Sequence, residues 1–191
     1  LWSAGDRRAA ERVRAVADAV DDLRHLTKKS LIDQLSRMPQ KAFGEMMMVL
    51  LERLGVSEIE VVRRQGAHGS ELHLSGSLRL AGLDPVSGGA LTTRTAIIIR
   101  RDGKDIGRER VNDLRGALHH YGGASHGWLL SAGQVLSGAR EEAAASAAST
   151  VTLTGRHELA ELCLAHGIGV RVHRLEVPVV DAELFEQFSS R

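Results

Sequence analysis

The sequence is poor in the residues that would point quickly to a function. A single cysteine, Cys163, excludes an internal disulfide. It stands at helical apolar spacing in Leu159-Ala160-Glu161-Leu162-Cys163-Leu164, the setting of a packed thiol rather than a nucleophile. Aromatic residues make up 3% of the chain, which weighs against recognition of single strands by base stacking. No apolar run approaches the roughly 20 residues needed to cross a bilayer, and no signal-peptide arrangement opens the chain. A cytoplasmic protein is the expectation. The chain begins with Leu rather than Met, so the reading includes an N-terminal domain missing from this sequence.

What is present suits a folded domain with an appendage: 191 residues, 43% apolar, formal net charge +1. The small net charge hides an uneven distribution. Residues 94–115 hold seven basic side chains against four acidic ones, whereas 116–191 hold five against eight. A phosphate-binding face is therefore expected in the middle of the chain, with Arg100, Arg101, Lys104, Arg108 and Arg110 as candidate contacts. The plainer reading is a solvated helix face on which Glu109 and Asp113 offset Arg108 and Arg110.

Periodicity predicts an exposed amphipathic helix over 6–25, a short helix over 31–37 capped by Ser30, and a longer helix after Met38-Pro39 that closes at Gly55. Three consecutive methionines, 46–48, read as core filler on that helix rather than as ligands. Short strands are expected at 59–62 and 71–74, the second with Leu72 and Leu74 on one face and Glu71 and His73 on the other. Gly66 and Gly69 mark a turn, and 75–93 a loose hairpin or loop insertion. The most strand-prone segment, Ala96-Ile97-Ile98-Ile99, runs directly into Arg100 and Arg101. Helices at 108–120, 137–148 and 158–166 then alternate with strands at 127–131, 151–153 and 168–172, and a tail with a short helix at 182–188 follows. Such alternation implies an α/β layered domain. The boundaries drawn are 1–28 for a connector helix, 29–172 for the domain and 173–191 for the tail.

The order of these pieces resembles the Mrr-type restriction endonuclease domain, a branch of the PD-(D/E)xK nuclease fold. Residues 106–118, ending in Gly116-Ala117-Leu118, look like the helix after that family's catalytic strand. Gly127-Trp128-Leu129-Leu130-Ser131 with Ser137-Gly138-Ala139, then Leu153-Thr154-Gly155 with Leu159-Ala160, and Gly167-Ile168-Gly169-Val170 are similar to its later steps, and Met38-Pro39 with Phe43, Leu50, Leu51 and Gly55 to its opening helix. The resemblance covers about residues 30–170. It implies a three-layer core with a central mixed sheet, duplex DNA as partner, and a bacterial-defence type of role; a homodimer is left open.

The departures fall on the catalytic motifs. Where the family has Phe-Glu, this chain has Phe43-Gly44, with Glu45 displaced by one position and so turned about 100° around the helix. The metal-binding aspartate is replaced by Glu71, after Gly66-Ala67-His68-Gly69-Ser70. The strand that should supply Gln/Glu-x-Lys supplies Ile98-Ile99-Arg100; Ile98 has no oxygen, and a guanidinium matches neither the geometry nor the acidity of an ammonium. Metal-dependent phosphodiester cleavage needs acidic oxygens to hold Mg²⁺ and a cation to position water. The resemblance thus implies a catalytically degenerate domain that binds DNA phosphates, with no cofactor or weakly bound Mg²⁺ at Glu71. The alternative is a divergent Mg²⁺ endonuclease built on Glu71, Arg100 and Glu45, with His68 or His73 recruiting a transition metal as a variant of it. A protein-interaction or dimerisation module is the third reading.

Overall fold

The computed structural model describes residues 4–65, 70–80, 91–145 and 149–189. The chain divides into two compact units, Lys28–Val170 and a second formed by Leu1–Thr27 with Arg171–Arg191.

Among the described residues of the larger unit, five strands form one mixed sheet in sequence order: β1 (Val56–Gln65), β2 (Glu71–Leu80), β3 (Leu91–Arg100), β4 (His126–Ser131) and β5 (Thr150–Thr154). β1, β2 and β3 are antiparallel neighbours, and β3, β4 and β5 run parallel. The parallel half is possible because α3 (Arg108–Ala117) and α4 (Ser137–Ala144) provide the long crossovers that parallel pairing requires. β3 and β4 are buried along most of their length, as central strands covered on both faces should be.

Alternation along the strands separates two apolar layers. One layer joins Leu72, Leu74, Ile97, Ile99, Trp128 and Leu130 to Phe43, Met47, Leu50 and Leu51 of α2 (Gln40–Arg53) and to Leu159 and Cys163 of α5 (Arg156–Ala165). Burial pushes the Cys163 thiol up to about 11, so it is inert at neutral pH. The other layer sets Ala96, Ile98 and Leu129 against Val111 and Leu114 of α3 and Ala139 of α4. Gly127 lets α3 approach β4 closely: a Cβ there would come within 2.9 Å of Leu114.

Several sequence expectations are corrected. α1 is one helix, Ala4–Arg37, and Ser30 lies inside it rather than capping a second one. Residues 26–30 contain neither Gly nor Pro, and the Thr27 hydroxyl donates back to the Leu23 carbonyl at 2.8 Å, a bond compatible with a continuing helix. Pro39 is the N-cap of α2, and its carbonyl accepts from the Phe43 amide. The 75–93 stretch is strand at both ends, since β2 runs to Leu80 and β3 begins at Leu91; residues 81–90 lie outside the described ones. Leu74, Ser75 and Ser77 pair with partners on two sides, which outweighs the turn-like composition of this stretch. α4 ends at Ala144, not 148, and residues 146–148 are not described. No strand forms at 168–172; Gly167 and Gly169 have φ of +65° and +67°, and the Ile168 amide bonds to the Cys163 carbonyl to terminate α5.

In the smaller unit, residues 4–27 of α1 expose Val13, Val16, Val20 and Leu23, and α6 (Ala182–Ser189) exposes Leu184, Phe185 and Phe188. No helix among the described residues is long and apolar enough to cross a membrane.

Candidate functional site

The site lies on the α3 face of the sheet, where β2 begins and β3 ends. Antiparallel register places Glu71 directly opposite Arg100 and His73 opposite Ile98. Because side chains alternate, the two polar residues of β2 and the arginine of β3 share a face with Ile98, while Leu72 and Ile99 enter the other core. β1 adds Arg63 through an irregularity between Val61 and Arg63 that brings Arg63 opposite His73. α3 contributes Arg110, and a 3₁₀ turn at its end, Leu118–His120, leads into Tyr121.

The Glu71 carboxylate is the centre of the cluster and is 13% exposed. Its Oε1 lies 2.7 Å from Arg110 Nη2 and 3.2 Å from Arg100 Nε, and its Oε2 lies 3.3 Å from His73 Nε2. Arg100 is itself buried, and its Nη2 donates to Asp102 Oδ2 at 2.8 Å. On the far side of the imidazole, His73 Nδ1 meets the Tyr121 hydroxyl at 2.5 Å and Arg63 Nε at 3.5 Å. One proton assignment satisfies these contacts: Nε2–H donates to Glu71, and Nδ1 accepts from Tyr121. Burial, then the Arg63 charge, holds His73 below the usual histidine range despite the opposing pull of Glu71. Burial raises Tyr121 above the usual phenol range. The pair is therefore a neutral imidazole and a protonated phenol at neutral pH.

A cavity of about 210 Å³ opens beside this cluster, with Arg63, Glu71, His73, Arg110 and Tyr121 as its polar lining and Ile98 and Leu114 among its apolar walls.

The basic segment after β3 is held in place. Ala132 N donates to the Arg100 carbonyl, Ile106 N to Gln134 O at 2.7 Å, Leu136 N to Ile106 O at 3.0 Å, and Gln134 N to Asp105 Oδ1. Gly133 makes this close packing possible, since a Cβ there would overlap the Lys104 carbonyl oxygen.

The five candidate phosphate contacts do not form one surface. Arg100 is turned inward, and Arg110 is bound to Glu71. Arg101 is half-buried, with Nη2 directed at the Ser36 carbonyl at 3.4 Å. Arg108 is 59% exposed and lies 3.5 and 3.6 Å from Glu141 and Glu142. Lys104 is exposed and has no ion pair among the described residues. Glu45, 62% exposed, faces Lys41 at 3.9 Å along its own helix and makes no ion pair or hydrogen bond with the Glu71 cluster among the described residues. His68 lies outside the described residues.

This donor set does not fit Mg²⁺. Octahedral magnesium asks for hard oxygen ligands. Here the one buried carboxylate on this part of β2 is engaged by two guanidiniums, Ile98 presents only carbon, and no group of three or more acidic, histidine or cysteine side chains able to hold a metal occurs among the described residues.

Arg63, Asp102 and Tyr121 are not legible in the sequence as site residues. Arg63 reaches His73 only through the irregularity in β1, and Asp102 reads as one more charge in a basic run. The one signal for Tyr121 is its scarcity: it is the only tyrosine in the chain.

The architecture has a solved counterpart. The DNA modification-dependent restriction endonuclease AspBHI is similar in fold, with a TM-score of 0.53 and 21% identity, over 74% of this chain. The match spans 36% of that longer protein. The sequence of the core is more specific. The Mrr_cat family, described as restriction endonuclease, matches residues 35–163, more than half of the chain, and the chain belongs to that family. No curated protein matches.

Proposed function

We propose that this domain binds the phosphate backbone of duplex DNA without hydrolysing it, a Mrr-type nuclease fold whose catalytic centre is degenerate. The observation that carries the reading is the clamp of Arg100 and Arg110 on Glu71, at 3.2 and 2.7 Å. A nuclease site spends its carboxylates on a metal; here the carboxylate neutralises two cations of the protein itself. Phosphodiester cleavage by the metal route lacks its ligands, whereas electrostatic attachment to phosphates needs only cations at the surface.

Lys104, Arg101 and Arg108 are the outer contacts of this reading. The loop between β3 and α3 that carries Lys104 is braced by its bonds to Gln134 and Leu136, so a phosphate would meet a pre-positioned charge. Binding should be independent of sequence and steeply salt-dependent. Fluorescence anisotropy of a labelled duplex across a salt series tests this. Lys104→Ala and Arg108→Ala should each weaken binding and lower the slope of log K against log salt by about 0.9 for each phosphate no longer neutralised. Affinity that does not change with salt would overturn the reading.

A divergent Mg²⁺-dependent endonuclease is the second reading, and family membership is the observation in its favour. Glu71 would be its ligand and Arg100 would stand in the lysine's place. Cleavage that disappears in Glu71→Ala would decide for it.

A further inference from the structure

Residues 8–26 of α1 are helical and exposed at every position, so no face of this stretch is covered. A helix in water gains most of its stability by packing an apolar face, and this one packs none. It nevertheless carries such a face. Val13, Val16, Val20 and Leu23 are 42%, 39%, 49% and 63% exposed and follow one another at steps of three, four and three residues. Ala9 and Thr27 extend the row by a step of four at each end. This is the repeat of a two-stranded coiled coil, with Val13, Val20 and Thr27 at the a positions and Ala9, Val16 and Leu23 at d. The Thr27 hydroxyl already donates to the Leu23 carbonyl of its own helix, so it enters such a seam without an unpaired donor.

The same register sorts the charges. Every acidic residue of 8–26, Glu11, Asp18, Asp21 and Asp22, falls at an outer position, as do Arg8, Arg14 and His25. The e and g positions that flank the seam hold Ala10, Ala17, Ala19 and Leu26, with Arg12 and Arg24 as their only charges. When two copies lie parallel and in register, each g residue meets the next e residue of the other helix. Arg12 then faces Ala17 of the second copy, and Ala19 faces Arg24, so no like charges oppose each other. Valine at a with Leu23 at d also favours two parallel strands.

The length of the row argues against α6 as its occupant. α6 lies in the same unit and exposes Leu184, Phe185 and Phe188, but its eight residues span about 12 Å, less than half of the roughly 27 Å from Ala9 to Thr27. A second α1 matches both the length and the spacing. Pairing along the whole row buries on the order of 1,000 Å² in total, at the lower edge of what stable complexes bury, so the association is reversible and set by concentration.

We propose that residues 9–27 of α1 are a dimerisation surface whose partner is a second copy of this chain, paired parallel and in register along Val13, Val16, Val20 and Leu23. This pairing is independent of the nucleic-acid reading above.

Sedimentation equilibrium of the full chain, from roughly 1 to 200 μM, tests it. The average mass is expected to rise from that of one chain toward that of two. Val16→Ala with Val20→Ala should weaken the association about tenfold or more, because each copy loses seam methyl groups, while the higher helix propensity of alanine keeps far-UV circular dichroism at least as helical. Val20→Cys tests the register: a positions face each other only in a parallel, in-register pair, within reach of a disulfide. Cys163 does not interfere, since burial pushes its thiol up to about 11. Oxidation of Val20→Cys should therefore give a covalent dimer at concentrations where the parent chain pairs. A chain that stays monomeric throughout the range would overturn the proposal. So would a dimer that survives the double alanine variant but is lost in Phe188→Ser, which would move the interface to α6. Pairing without the Val20→Cys cross-link would overturn the parallel register.

Discussion

The two faces of the central sheet are built from alternate residues of the same strands and obey different rules. On the α2/α5 face every inward residue of β2 and β3 near the site is aliphatic: Leu72, Leu74, Ile97 and Ile99. On the α3 face the neighbouring positions are Glu71, His73, Ile98 and Arg100, and burial there is tolerated only because each polar side chain has a partner. The first face derives its stability from burial and close packing. The second holds charges in low dielectric, where removing one partner costs far more than the intact pair contributes. A nuclease scaffold normally uses that second face for metal chemistry; in this chain its carboxylate is tied to guanidiniums.

Damage to either face should cost stability, by a different route on each. Phe43 is fully buried in the α2 layer, and Phe43→Ala should cost about 3–5 kcal/mol in denaturant unfolding. Glu71→Ala should cost about 3 kcal/mol by a different route, leaving the Arg100 and Arg110 guanidiniums without their shared counter-charge. The two mechanisms separate in a double variant: Arg100→Met should recover part of the stability removed by Glu71→Met, whereas no second truncation should rescue Phe43→Ala. Unchanged stability in Glu71→Ala would show that the polar face is solvated after all.

A smaller effect is expected from pH. His73 has a folded-state pKa below its ordinary value of 6.5, so the unfolded chain binds more protons in the window just below 6.5. Stability should therefore fall as pH drops through that window, by up to about 1.4 kcal/mol per pH unit for one group. His126, also lowered by burial, adds a contribution of the same sign. His73→Phe should flatten the curve without abolishing it, and an unaltered curve would place the titration elsewhere. The smallest effect belongs to the rim: Lys104→Ala should change stability by less than about 0.5 kcal/mol while weakening DNA binding.

How much of this is legible in the sequence depends on which rule sets each residue. The α2/α5 layer follows from period-2 and period-3.6 apolar spacing, so Leu72, Leu74, Phe43, Leu50 and Leu51 read as core directly. β2 beyond Leu74 does not, because Ser75, Gly76 and Ser77 have turn-like composition and become strand only by pairing with their neighbours in the sheet. Glu71 and Arg100 are recognisable as motif positions through the family's order of elements. Their ion pair is not, since it depends on antiparallel register across an intervening segment. The expected cationic patch fails for the same reason: charge counted along the chain does not reveal that Arg100 and Arg110 turn toward Glu71 while Lys104 remains exposed.

Conversion of supercoiled plasmid by the purified chain, at protein concentrations that saturate DNA, with Mg²⁺ and separately with Mn²⁺, distinguishes a degenerate site from a catalytic one. The plasmid is expected to stay closed and supercoiled while fully bound. Nicking that depends on the divalent ion and disappears in Glu71→Ala would contradict a degenerate site.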